Sequence, residues 1–163
     1  MARRGGLYIR NITFGIADSL VSTVGLLSGI DASGTTRQVI ILTGVVYAFV
    51  EAFSMAVGSF ISEQSAQEYV AQGEVAINQP FIAGFVMFVS FILASFIPIA
   101  PYLFIQPAGA LWLSIIVSII ALFIVGLVSA KIVKVGVLKH SIRMALLGGA
   151  AIIIGVVVGK FVK

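Results

Sequence analysis

Apolar residues run almost unbroken through five stretches of this chain, about 11–30, 39–61, 80–104, 109–130 and 144–162, and polar residues collect between them. Each stretch has the length that carries an α-helix across a bilayer, about 20 apolar residues. The pattern predicts an all-α fold: an integral membrane bundle of five transmembrane helices, forming a single transmembrane domain over 1–163 with no linker and no internal repeat. Arg3 and Arg4 precede the first stretch as they would precede a signal peptide's apolar core. That stretch holds Asp18 and many Gly and Ser residues and lacks a small-residue cleavage site, so it is read as a mature helix. Pro98 and Pro101 near the end of the third stretch, with Pro107 before the fourth, predict a short turn or a broken helix end.

Composition removes most soluble alternatives. Hydrophobic residues make up 60% of the chain and charged residues 10%, and the mean hydropathy is +1.18. A soluble domain could not stay in solution with that balance. The expected location is the plasma membrane of a prokaryote or a vacuolar or other endomembrane of a eukaryote. The formal charge of +4 is explained by topology. Arg3, Arg4, Arg10, Lys131, Lys134, Lys139 and Arg143 fall on one side of a five-span chain, against Arg37, Lys160 and Lys163 on the other. The positive-inside rule then places the N-terminus in the cytoplasm, with the lipid bilayer and no nucleic acid as partner. Segment 62–79 also faces the cytoplasm and carries Glu63, Glu68 and Glu74 without Lys or Arg; it could continue the second helix. There is no cysteine, and His140 is the only histidine. Thiolate sites, multi-histidine metal clusters and Cys nucleophiles are excluded, and the chain is read as a non-enzyme without a tightly bound cofactor. His140 sits among cations that meet anionic headgroups and is read as interfacial.

Two acidic residues, Asp18 and Glu51, fall inside the apolar stretches. A carboxylate near the centre of a membrane helix costs about 2.5–3.5 kcal/mol on insertion scales, so it faces a protein interior or a wet cavity and marks an ion or proton path. At ~1.5 Å per residue, Asp18 lies about 10 Å, and Glu51 about 15 Å, from the cytoplasmic ends of their spans. Met55, four residues after Glu51, shares its helix face. Carboxylate oxygens hold any hard divalent cation, whereas a thioether adds affinity for softer transition metals. Carboxyl groups in a partly dry site keep protons that an arriving metal displaces, which would couple inward proton flow to outward metal flow. The bland alternatives are a structural hydrogen bond from Ser22 to Asp18, a protonated Glu51 gluing helices together, and Met55 as core filler.

Gly15, Ser19, Ser22, Gly25 and Gly29 line span one at three- and four-residue spacing, a face for close helix packing. Gly148, Gly149, Gly155 and Gly159 give span five a similar face, which matches no phosphate loop. Glu63, Glu68 and Glu74 form a candidate cytoplasmic metal vestibule. Spacings of five and six do not align them on one helical stripe, so a solvated helix face is the simpler reading.

The run from Phe14-Gly15 through Asp18-Ser19 and Leu20-Val21-Ser22 to Gly29 resembles the opening helix of the vacuolar iron transporter family. Ala52-Phe53-Ser54-Met55-Ala56-Val57-Gly58 is similar to that family's second-helix motif A-x-S-M-A-x-G, and Ser65-Ala66-Gln67-Glu68 to its continuation. Pro80-Phe81 with Phe91 and Pro98 to Pro101 look like the third helix, and Arg143 to Gly159 like the fifth. The likeness covers nearly the whole chain. It implies a five-helix protomer in a homodimer, with a ferrous or manganous ion path lined by helices one and two at the two-fold axis. Asp18 matches the family's helix-one aspartate and Met55 its methionine. Ser19 and Ser59 stand where the family commonly has Gly and Glu, and segment 62–79 replaces the long glutamate-rich metal-binding insertion of other members.

The sequence therefore predicts a proton-coupled secondary transporter exporting Fe2+ or Mn2+, with Asp18, Glu51 and Met55 as ligands and protons as the counter-ion. The alternatives are a dimeric proton-coupled exporter of organic cations and a non-transporting membrane scaffold.

Overall fold

A computed structural model describes residues 2–161, and among them all regular structure is helical. The helices are α1 (Ala2–Ala32), α2 (Arg37–Ala71), α3 (Asn78–Phe104), α4 (Pro107–Val133) and α5 (Val137–Phe161). All five are long and apolar enough to cross a membrane. The predicted end of the fifth span at residue 162, Lys163, and the side chains of Arg3 and Arg4 lie outside the described residues.

α1 is the centre of the bundle and touches all four other helices, while α2 packs chiefly on α3. The reason lies in α1's small residues. Gly25 and Gly29 face Ala151, Gly155 and Gly159 of α5 so closely that a Cβ on Gly29 would sit 2.7 Å from the Gly155 carbonyl oxygen. Gly15 accepts Met87 and Ser90 of α3, and Ser19 Oγ donates to the Phe91 carbonyl at 2.8 Å. With no hydrophobic drive between helices in lipid, such backbone approach and buried hydroxyl bonds supply the association. On α5, Gly148 meets Leu122, whereas Gly149 has no neighbour within 4 Å.

Two boundaries differ from the sequence expectation. α2 continues ten residues past 61, about 15 Å at the helical rise, because Gln, Glu and Ala there sustain a helix beyond the apolar run. α5 begins at Val137, seven residues before the apolar run, taking Lys139, His140 and Arg143 into its first turns. At the third span the short turn holds and the broken end does not: α3 runs through Pro98 and Pro101 to Phe104, the expected limit, before a connection of only Ile105 and Gln106. A helix in a bundle tolerates proline where neighbours serve the disturbed backbone. Here Ser114 Oγ of α4 donates to the Pro98 carbonyl at 2.7 Å, and Arg37 donates to the carbonyls of Tyr102 and Leu103.

Arg37 thus closes the C-terminal end of α3, where the helix dipole favours a cation. Tyr102 in turn donates from its hydroxyl to Asp31 Oδ2 of α1 at 3.0 Å. Three helix ends are clamped together. Arg37→Ala is expected to lower stability by about 1.5–3 kcal/mol, the usual worth of hydrogen bonds from a charged donor, read as an earlier loss of monodisperse protein on heating in detergent.

Candidate functional site

α1 and α2 run antiparallel, and their polar residues meet in sequence along one seam. Tyr47, Glu51, Met55, Ser59 and Glu63 are four apart on α2 and form one stripe. At the amino-terminal end of the bundle, the guanidinium of Arg10 stands 3.5 Å from Glu63 Oε2. One turn inward, Ser59 Oγ donates to Asn11 Oδ1 at 3.1 Å, both residues buried. Deeper still, Asp18 and Glu51 are close enough for their charges to interact, and Tyr47 lies within reach of both and of Ser22.

Between the Asn11 and Asp18 levels lies a groove of about 530 Å³ lined by Met55, Ser54, Gly58, Ser59, Ser62, Asn11, Arg10, Phe14 and Met87. Two thioethers therefore line one space, Met55 from α2 and Met87 from α3. Gly15 makes room for the second, since a Cβ there would sit 3.0 Å from the Met87 sulfur. Past Ser22 and Tyr47 the seam becomes apolar: Leu27, Ile40 and Ile99 are buried together with Ala48 and Tyr102.

The carboxylates of Asp18 and Glu51 are not occupied by structural bonds. Ser22 Oγ does donate to Asp18, but to its backbone carbonyl at 2.7 Å. Among the described residues, no side chain donates a hydrogen bond to either carboxylate, and neither has a salt-bridge cation. The three predicted ligands therefore share one seam, with the two acids adjacent and Met55 at the neighbouring groove.

The vestibule glutamates are not brought together. Glu63 Oε1 accepts from Gln67 at 2.8 Å beside its Arg10 contact, Glu68 accepts from Gln64 at 2.8 Å, and Glu74 is exposed in the connection after α2. Among the described residues, no three of His, Asp and Glu lie close enough to hold a metal ion. His140 is half-buried. Its Nε2 is buried without a hydrogen-bond partner among the described residues, and the ring borders a mainly apolar groove between α1, α4 and α5.

Sequence reasoning missed Tyr47, Asn11 and Met87, and noted Ser59 only as standing where the family commonly has Glu. Only Tyr47 and Ser59 carried a signal, their four-residue spacing from Glu51 and Met55; the other two needed the register between helices.

The sequence profile of the VIT family matches residues 9–74 and 66–160. The chain belongs to the VIT family. Vacuolar iron transporter homolog 3 of Arabidopsis thaliana is 30% identical over 153 residues, covering 87% of this chain and 76% of its own. Vacuolar iron transporter homolog 1 of Oryza sativa subsp. japonica is 28% identical, over 87% of this chain and 68% of its own. An uncharacterized protein of Methanocaldococcus jannaschii is 27% identical, over 83% and 80%. The first VIT match contains the whole polar seam, from Arg10 to Ser22 on α1 and from Tyr47 to Glu63 on α2. As a VIT-family chain with five apolar helices, this is a multi-pass protein of an endomembrane or a prokaryotic membrane.

Proposed function

We propose that this chain is a metal ion transporter that exports ferrous iron or manganese from the cytoplasm in exchange for protons, along the α1–α2 seam of a homodimer. The observation that carries the reading is the Asp18–Glu51 pair, two carboxylates close enough for their charges to interact, set in apolar helices, to which no described residue supplies a cation or a hydrogen-bond donor. Like charges so placed are costly unless a proton or a cation is shared between them. A divalent ion relieves both, and Met55 adds the soft ligand that favours a transition metal over magnesium or calcium. Protons returning to the carboxylates on the other side of the membrane release the metal and reset the site.

One protomer offers two acids and a thioether, which is few for a transition ion. The outer face of α2 supports a second copy. Ser54 and Gly58 are exposed small residues four apart, Gly58 meets nothing within 4 Å, and Phe53 and Val57 flank them. Small residues at that spacing bring two membrane helices together, and pairing there would set two Glu51–Met55 stripes side by side.

Met55→Leu tests the ligand set. In proteoliposomes, the native chain is expected to move Fe2+ and Mn2+ faster than protein-free vesicles, and Met55→Leu to slow both by about tenfold or more, the scale on which metal sites respond to losing a supporting group. Undiminished flux in Met55→Leu would remove the thioether from the site.

A further inference from the structure

The Arg10–Glu63 contact sits at the mouth of the methionine-lined groove, and its two sides are unequal. Glu63 is 15% exposed and held by Gln67, whereas Arg10 is 60% exposed. At 3.5 Å the contact is longer than the 2.7–2.9 Å of a strong charge-assisted bond. The carboxylate is the buried, hydrogen-bonded partner and the guanidinium the exposed one.

A second observation points the same way. Asn11 is 2% exposed and lines the groove, yet one end of its amide has no partner. Ser59 satisfies the other end, and a hydroxyl can serve either amide atom, since it donates and accepts. With the amide rotated, Nδ2 donates to Ser59 and the unpartnered atom is Oδ1, a neutral oxygen ligand. Ser62, next to Glu63, and Met55, one turn below Ser59, line the same space.

We infer that this mouth is a loading site for a divalent transition metal, in which the Arg10 guanidinium is the resident cation that the metal displaces from Glu63. The donors are the Glu63 carboxylate, the Asn11 amide oxygen and the Ser62 hydroxyl, with Met55 next along the path toward Asp18 and Glu51. Only one acid is present, so the metal is held weakly, which suits a site that must pass its ion inward. While no metal is bound, Arg10 neutralises a carboxylate that would otherwise stand partly dry and unpaired. The inference rests on the transport reading for its purpose, but not for its binding chemistry.

The test measures the concentration dependence of Mn2+ flux in proteoliposomes, and Mn2+ binding to the purified chain by the loss of the free-ion paramagnetic signal. Arg10→Gln is expected to lower KM and tighten Mn2+ binding by about two- to five-fold, the factor that corresponds to removing a part-exposed ion pair. Arg10→Lys should stay near native values, and Glu63→Gln should weaken binding. The gain from Arg10→Gln must vanish in the Glu63→Gln background, because Arg10 acts through that carboxylate. A gain that persists without Glu63 would mean that Arg10 only adds to the general field, and the loading site would be overturned. Unchanged binding in Arg10→Gln would overturn it equally. If the native chain moves no metal, the transport reading fails, and the binding measurements on the same variants still decide the loading site.

Discussion

Gly155→Leu will prevent the bundle from assembling. A Cβ at Gly155 falls onto the backbone carbonyl of Gly25 and within 2.8 Å of its carbonyl carbon, and one at Gly159 would meet the Cα of Gly29 at 2.9 Å. These neighbours are main chain of a continuous helix and have no rotamer to give. Overpacking a core usually costs about 1–3 kcal/mol, and more where nothing can move. Here α5 must separate from α1, the helix that touches all four others. The expected outcome is loss of monodisperse protein in detergent. Gly149→Ala, on the same helix but with no neighbour within 4 Å, is the matched control. It should gain up to about 1 kcal/mol from helix propensity alone. Normal recovery of Gly155→Leu would mean that the α1–α5 contact is looser than described.

Asp18→Asn is expected to abolish transport while leaving the fold intact. The substitution is nearly isosteric, and the bond that Ser22 makes goes to the Asp18 backbone, which the variant keeps. No described side chain depends on the carboxylate, and its main neighbour is the like charge of Glu51. Thermal stability should therefore hold or rise slightly. Metal flux should fall by more than about a hundredfold, since even outer-shell partners of a metal ligand are worth about 10–100-fold and the variant removes both a ligand and a proton carrier. A scaffold would show the reverse pattern, lost stability with no flux to lose. That contrast makes Asp18→Asn more informative than Glu51→Gln, where a protonated glutamate and a glutamine differ little.

The features legible in the sequence were those with few physical alternatives. A run of about 20 apolar residues has essentially one use, and Asp18 and Glu51 stood out because a carboxylate in such a run demands an explanation. The reach of α2 to Ala71 was only an open option, because segment 62–79 lacks the hydropathy that marked the span. Pro98 and Pro101 left a short turn and a broken helix end both open, since the groups that preserve α3 there, Ser114 and Arg37, come from other helices. The pairs Arg10–Glu63 and Asn11–Ser59 are four dozen or more residues apart and depend on helix register, which no local pattern encodes. Ser22 shows the same limit in a finer form: its proximity to Asp18 was readable, but whether it would bond the carboxylate or the backbone was not.

The account stands or falls on coupled movement of metal and protons through the native chain. Proteoliposomes carrying a pH-sensitive dye should report proton movement opposite to Fe2+ or Mn2+ movement, with both signals absent in protein-free vesicles and in Asp18→Asn. A monodisperse, well-folded native chain that moves neither metal, or moves metal with no proton counterflow, would contradict it.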